Sequence, residues 1–386
     1  MKIYFRIIIA LFSILLIYLT LVILDILLPR LETFNENYNE ALKIIAERRL
    51  TEDAIFLNST EGEMLVYPEW YSYYPYNEIV HKNGIAPVGG IPYQNVALCN
   101  EGYGLVEYTS DRFGFRNKDE LWNNLEQIDA IVIGDSSIGG DCNHEEATLT
   151  GILNNSGQKT LNLGLGGFSS ISYHTIGKIF IPVIEPKNVV IVFHSNDNHM
   201  ITNTIYNKYL ESMVPEIYFD LSQDVIKPSK KLNLFNTELQ QLVNSAKNEV
   251  EYPYFDYNSK FKHFISKFEK YLMLVNIRKF LFYAFSDLEE PIGDHTLLID
   301  YAENLCIKHN CETNYVLIKG SSFWTPEFYH EKYKNSLDRY LKKYNKSLIH
   351  THELFNDNRK YWSIKGGHLS PLGNKILAKE IIKNFD

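Results

Sequence analysis

The chain reads as an α/β protein, a three-layer, doubly wound parallel sheet preceded by a membrane-spanning helix and an irregular extension. Two observations predict this. From about residue 121 short apolar runs alternate with helical stretches, the rhythm of strands joined by crossover helices. Ahead of them, Lys2 and Arg6 precede an uncharged run from Ile7 to Leu24, close to the roughly 20 residues a bilayer requires.

The apolar N-terminus is too long for the roughly 7–15-residue core of a cleaved signal peptide, and no small-residue cleavage site follows it. Residues 1–30 are therefore expected to be an uncleaved, single-pass anchor. The basic residues at the start point to a cytoplasmic N-terminus and an extracytoplasmic body, against the bias of Arg30, Lys43, Arg48 and Arg49 on the other side. Residues 31–120 form a stalk and extension. Leu31, Tyr38, Leu42, Ile45 and Leu50 recur at helical spacing. Beyond them, prolines, glycines and a Tyr/Trp cluster (Tyr67, Trp70, Tyr71, Tyr73, Tyr74, Tyr76) predict irregular or short-stranded structure. Linkers are poor in aromatics, so this stretch is expected to pack against the main domain.

The main domain occupies residues 121–386. Its strands are expected at 129–134, 159–163, 188–193, 314–318 and, more weakly, 347–350. Asn188-Val-Val-Ile-Val-Phe193 is nearly all β-branched or aromatic, as suits a strand covered on both faces. Helices are expected near 144–154, 170–181, 295–309, 328–344 and 371–384. An insertion at about 200–290, rich in Lys, Asn, Tyr and Phe, separates the third and fourth strands and carries a helix near 259–285.

Composition excludes some functions. The net charge is −9 and no basic run interleaves with aromatics, which argues against a nucleic-acid partner. Four cysteines, Cys99, Cys142, Cys306 and Cys311, show no CxxC pair and no zinc spacing, so neither a metal nor another cofactor is expected. Cys306 and Cys311 could close a small loop in an oxidising compartment; four free thiols are the alternative.

Chemistry concentrates at the predicted strand ends. Ile133-Gly134-Asp135-Ser136-Ser137-Ile138-Gly139-Gly140 follows the first strand, where ligands bind in open α/β sheets. A serine there, at a helix start, lies near backbone N–H groups able to hold an oxyanion. Alone, the same residues describe an ordinary turn with an N-cap. Three further segments add weight: Asn162-Leu-Gly164-Leu-Gly166-Gly167 after the second strand, Phe193-His194-Ser195-Asn196-Asp197 after the third, and Gly366-Gly367-His368 before the last helix.

These four blocks, in this order, resemble those of the SGNH/GDSL hydrolases over about residues 129–386. The resemblance implies a flavodoxin-like sheet with Ser136 as nucleophile and His368 as general base. It implies an oxyanion hole from the N–H groups of Ser136 and Gly167 and the side chain of Asn196, with Asp135 and Asp197 in support. Upstream, Tyr108-Thr-Ser-Asp111-Arg-Phe-Gly114-Phe115-Arg116-Asn117 resembles the lead-in of membrane-anchored bacterial members linked to acylation of cell-surface polysaccharides. The implied activity is ester hydrolysis or O-acyl transfer on a glycan. A catalytically weak glycan-binding or assembly protein and a lipid esterase are the alternatives. The acyl group, the acceptor and the oligomeric state stay open. Two departures stand out. Lys365 occupies the place, three before the histidine, where the family has Asp, and His194 replaces a Gly in the third block. Lys365 is expected to point to solvent, with Asp357 or a nearby backbone carbonyl orienting His368.

Overall fold

A computed structural model describes residues 2–27, 63–64, 76–168, 170–194, 197, 204–222, 225–249, 272–274, 277–278, 281, 294–319, 327–356 and 359–385. The predicted stalk at 31–50, the aromatics from Tyr67 to Tyr74, Asn196 and Asp357 lie outside the described residues, as does most of the expected 259–285 helix.

The main sheet has five strands: β1 (Ala130–Gly134), β2 (Thr160–Gly164), β3 (Asn188–His194), β4 (Glu312–Ile318) and β5 (Leu348–His350). All neighbours are parallel and the spatial order is 2-1-3-4-5. The mixed α/β class and the parallel sheet are therefore as the sequence predicts. Register places Gly134 beside Gly164, His194 beside Ile318 and His350 beside Leu317, so the carboxyl ends share one edge. In this order the chain leaves β1 toward one side and returns past it to β3. The resulting crevice at the ends of β1 and β3 is where such sheets bind ligands.

The principal helices are α1 (Lys2–Leu27), α2 (Tyr76–Asn83), α3 (Ser136–Gly139), α4 (Leu149–Asn155), α5 (Ser170–Ile184), α6 (Lys230–Glu249), α7 (Asp294–His309), α8 (Glu327–Leu341) and α9 (Pro371–Ile382). Alternation along each strand divides the core. Ile131, Ile133, Ile191, Phe193 and Leu317 pack with Ile176 and Phe180 of α5, Leu298 of α7 and Leu337 of α8. Val132, Val190, Val192 and Val316 face the other way, onto Leu153 of α4 and Leu377 and Ile381 of α9. Every strand residue from Ala130 to Gly134 and from Asn188 to His194 is buried, which accounts for their unbroken apolar runs.

The extension contributes to the first of these cores: Ile85, Val88, Ile91, Phe113 and Phe115 belong to it, as do Phe235 and Leu239 of α6 from the insertion. A short antiparallel pair, Asn95–Ala97 with Glu107–Thr109, brackets residues 98–106. That loop matters below, because two tethers bring it onto the carboxyl edge of the sheet.

Helix α1 contains a stretch, Ile9–Leu27, long and apolar enough to cross a membrane; only 6% of it is buried within the protein. Both cysteine pairs are oxidised, Cys306 to Cys311 and Cys99 to Cys142. The free-thiol alternative is therefore corrected, and the second pair spans 43 residues that sequence spacing could not match.

Candidate active site

Ser136 opens α3 directly after β1. Asp135 is its N-cap and accepts the Ser137 N–H at 2.9 Å, so this aspartate fixes the turn. The turn lies close against β2. A Cβ on Gly164 would come 2.6 Å from the Cβ of Ile138, and one on Gly134 would come 2.4 Å from Ile138 Cγ1. Only glycine at these strand ends lets the nucleophile turn sit there.

His368 stands opposite. Its Nε2 lies 2.9 Å from Ser136 Oγ, a distance at which an unprotonated nitrogen accepts the hydroxyl proton. The two residues the resemblance singled out, 232 positions apart, thus meet in hydrogen-bond contact.

The orienting acid is Glu101, from the extension. Its Oε1 lies 3.0 Å from His368 Nδ1. Its Oε2 accepts the Ser363 hydroxyl and the His368 N–H. Only 4% of the Glu101 side chain is exposed, so the carboxylate meets His368 out of bulk water. Lys365, three before the histidine, acts through its backbone: its N–H donates to the Glu101 carbonyl at 3.0 Å. The residue as a whole is half-buried. The carboxylate occupies the space over Gly366, where a Cβ would fall 1.8 Å from the Glu101 carboxyl carbon.

Local chemistry explains how residues 99–104 reach the site. Asn100 Oδ1 accepts the N–H groups of Gly102 and Gly104, folding the loop back on itself. His144 Nε2 contacts the Tyr103 carbonyl at 2.9 Å. Cys99, two residues before the acid, is bonded to Cys142, six after the nucleophile. The Cys142 sulfur lies close to Glu101 and His368, but bonded to Cys99 it offers no thiolate to a metal.

The lead-in motif underpins this arrangement. Asp111 is buried and accepts from Phe113 N, Phe115 N, Asn117 Nδ2 and Trp122 Nε1, while burial pushes its carboxyl up to about 6. Arg116 donates to the carbonyls of Gly140 and Asn143 and pairs with Glu145, which ties the extension to the end of α3. The Asn117 side-chain amide donates to the Asn162 carbonyl of β2 and accepts the Asn162 N–H.

Charge in the site favours an imidazolium. Burial opposes it, but the Glu101 carboxylate at Nδ1, with Asp141 and Asp135 nearby, outweighs burial and holds His368 up to about 9. Asp141 is buried, and desolvation raises it to about 7 against the attraction of His368.

Of the expected oxyanion donors, Ser136 occupies the first helical position, whose N–H has no intrahelical acceptor. Gly167 sits in the turn after β2 with φ 79°, in the left-handed region. Asp197 is buried; it accepts the His194 N–H at 2.7 Å and the Tyr173 hydroxyl at 3.1 Å, so it shapes the loop after β3. His194 is buried and belongs to a group the sequence did not reveal, at the ends of β3 to β5. There His330 Nε2 meets His350 Nε2 at 2.8 Å and Lys319 Nζ meets His352 Nδ1 at 3.1 Å. Burial and the neighbouring basic groups push His330 down to about 2, leaving it neutral.

Compared with protein-family models and with curated proteins, the chain matches none of them.

Proposed function

We propose that this protein is a membrane-anchored serine esterase or O-acyltransferase of the SGNH type, acting on acyl esters of a cell-surface glycan. The observation that carries the reading is the continuous contact from Ser136 Oγ through the His368 ring to the Glu101 carboxylate. A serine becomes a nucleophile when an adjacent base, itself oriented by a third group, can take its proton.

Ser136 Oγ attacks the ester carbonyl carbon while its proton passes to His368 Nε2. The negative charge on the former carbonyl oxygen is held by the N–H groups of Ser136 and Gly167 and the Asn196 amide. The tetrahedral centre collapses, the imidazolium returns its proton to the departing alcohol, and the acyl group stays on Ser136. Water or a sugar hydroxyl then repeats the sequence, deprotonated by His368, and releases the acyl group as acid or new ester. Glu101 keeps the proton on Nδ1 and stabilises the imidazolium throughout. Two disulfides and the apolar α1 support a body in an oxidising compartment outside the cytoplasm.

The test is hydrolysis of an activated aryl ester by the full-length protein in detergent, beside Ser136→Ala. The reading requires turnover that the substitution abolishes and a covalent acyl adduct on the peptide carrying Ser136. Equal turnover in both proteins overturns it. Supplying oligosaccharide acceptors and following their mass separates transfer from hydrolysis.

A further inference from the structure

Besides Ser13, three polar side chains lie within the apolar stretch of α1: Tyr18, Thr20 and Asp25. Thr20 is satisfied inside the helix, its hydroxyl donating to the Leu16 carbonyl at 2.9 Å. The other two reach out of the helix to one short segment of the insertion. The Tyr18 hydroxyl donates to the Leu272 carbonyl at 2.6 Å, and Asp25 Oδ1 accepts the Ile277 N–H at 2.7 Å. Asp25 is fully buried, whereas its span is almost wholly uncovered.

Tyr18 and Asp25 are separated by about 10 Å along the helix axis. Leu272 therefore lies about that much further along the span than Ile277. If α1 crosses a bilayer, a segment bonded to its middle must enter the bilayer with it. Two features fit that environment. The described tip, Leu272-Met-Leu274, is apolar, and Arg278, beyond Ile277, is a cation suited to the headgroup level. Leu272, Met273 and Leu281 present large apolar side chains outward, Met273 at 64% exposure. In hydrocarbon, backbone polar groups outside a regular helix need protein partners. The chain turns at Leu274, where φ is 53°, and on either side of that turn Tyr18 and Asp25 supply such partners to a carbonyl and an N–H.

We propose that Leu272–Leu274, with Ile277, Arg278 and Leu281, form a second membrane-contacting element, a short wedge of the insertion that enters the bilayer beside α1. Its occupant is lipid: Leu272 and Met273 face acyl chains, and Arg278 sits at the surface. The wedge holds the catalytic body by two attachments, so the body cannot swivel freely on its anchor. This inference rests on α1 crossing the bilayer and is independent of the chemistry at Ser136.

All four native cysteines are paired, so single introduced cysteines can carry a nitroxide. The full chain is reconstituted in phosphatidylcholine–phosphatidylglycerol vesicles with labels at Met273→Cys, at Leu16→Cys as a reference within the span, and at Lys375→Cys, exposed on α9. Collision with oxygen, which concentrates in lipid, is compared with collision with a water-soluble nickel chelate. The Met273 label should be oxygen-rich and nickel-poor, resembling Leu16 and opposite to Lys375. A lipid-like Leu16 with a water-like Met273 overturns the wedge and leaves the anchor. A water-like Leu16 overturns the anchor and the wedge with it. A Met273 label shielded from both reagents means that protein, such as a second copy, covers the tip, and also overturns the proposal. Leu281→Cys repeats the reading should the Met273 variant fail to fold.

Discussion

Replacing Glu101 by glutamine keeps its size, so the tight fit over Gly366 survives, but changes which atoms can accept. In the native site Oε1 faces His368 Nδ1 while Oε2 faces the Ser363 hydroxyl and the His368 N–H. An amide has one accepting oxygen. If that oxygen serves Ser363 and the backbone N–H, the amide NH₂ faces Nδ1. The ring proton then moves to Nε2, where it cannot take the proton of Ser136. Loss of the orienting acid by this route costs about 10⁴ in turnover, or about 5 kcal/mol. The pH profile gives a second readout. With His368 held up to about 9, kcat/KM should rise through neutral pH with its midpoint near pH 9, following the neutral imidazole. Without the carboxylate, only Asp141 and Asp135 are left to oppose burial, and the limb should fall well below 9, toward the ordinary value of 6.5. Steady-state hydrolysis of an activated ester between pH 5.5 and 9.5, with circular dichroism to confirm folding, measures both. A folded Glu101→Gln variant with near-native turnover and its limb still near 9 would refute the assignment of Glu101.

Four further outcomes follow from the same geometry. Gly366→Ala drives a methyl into the Glu101 carboxylate, so turnover should fall by about 10²-fold, the cost of displacing a catalytic group by about 1 Å, with little change in KM for a small ester. Replacing Cys99 and Cys142 together by serine opens a 43-residue loop and should lower stability by about 4 kcal/mol, against about 2 kcal/mol for the Cys306–Cys311 pair; only the former should also cost activity. The raised His368 also affects stability: a group protonated more readily in the fold stabilises it fully below pH 6.5. That contribution, about 3 kcal/mol, is lost as pH rises through about 9, so urea midpoints should fall over that interval and fall less in His368→Gln. Arg116→Ala should reduce turnover without contacting substrate, because it releases the Gly140 and Asn143 carbonyls behind the nucleophile turn; unchanged turnover in a folded protein would remove that role.

The sheet was legible because its strands are buried on both faces. Asn188–His194 shows this as a continuous apolar run, and the same burial explains Ala130–Gly134. Ser136 and His368 were legible because each sits in a short block whose glycines serve the backbone next to it. Glu101 was not legible. It lies 267 residues from its partner, in a stretch without periodicity, and a carboxylate acting at a distance leaves no local pattern. One signal pointed toward it indirectly: a cation where the acid is usual. The Cys99–Cys142 bond was hidden for a similar reason, since pairing depends on where the extension packs.

Because Glu101 belongs to the extension and His368 lies close to the carboxyl terminus, the site is the last part of this molecule to exist. A chain emerging residue by residue orders its early segments first. Glu101 is itself held by Ser363, Lys365 and His368, so the final strand and α9 must close before the three groups meet. Until that contact closes, Ser136 Oγ lacks the base and the acid that the proposed chemistry requires.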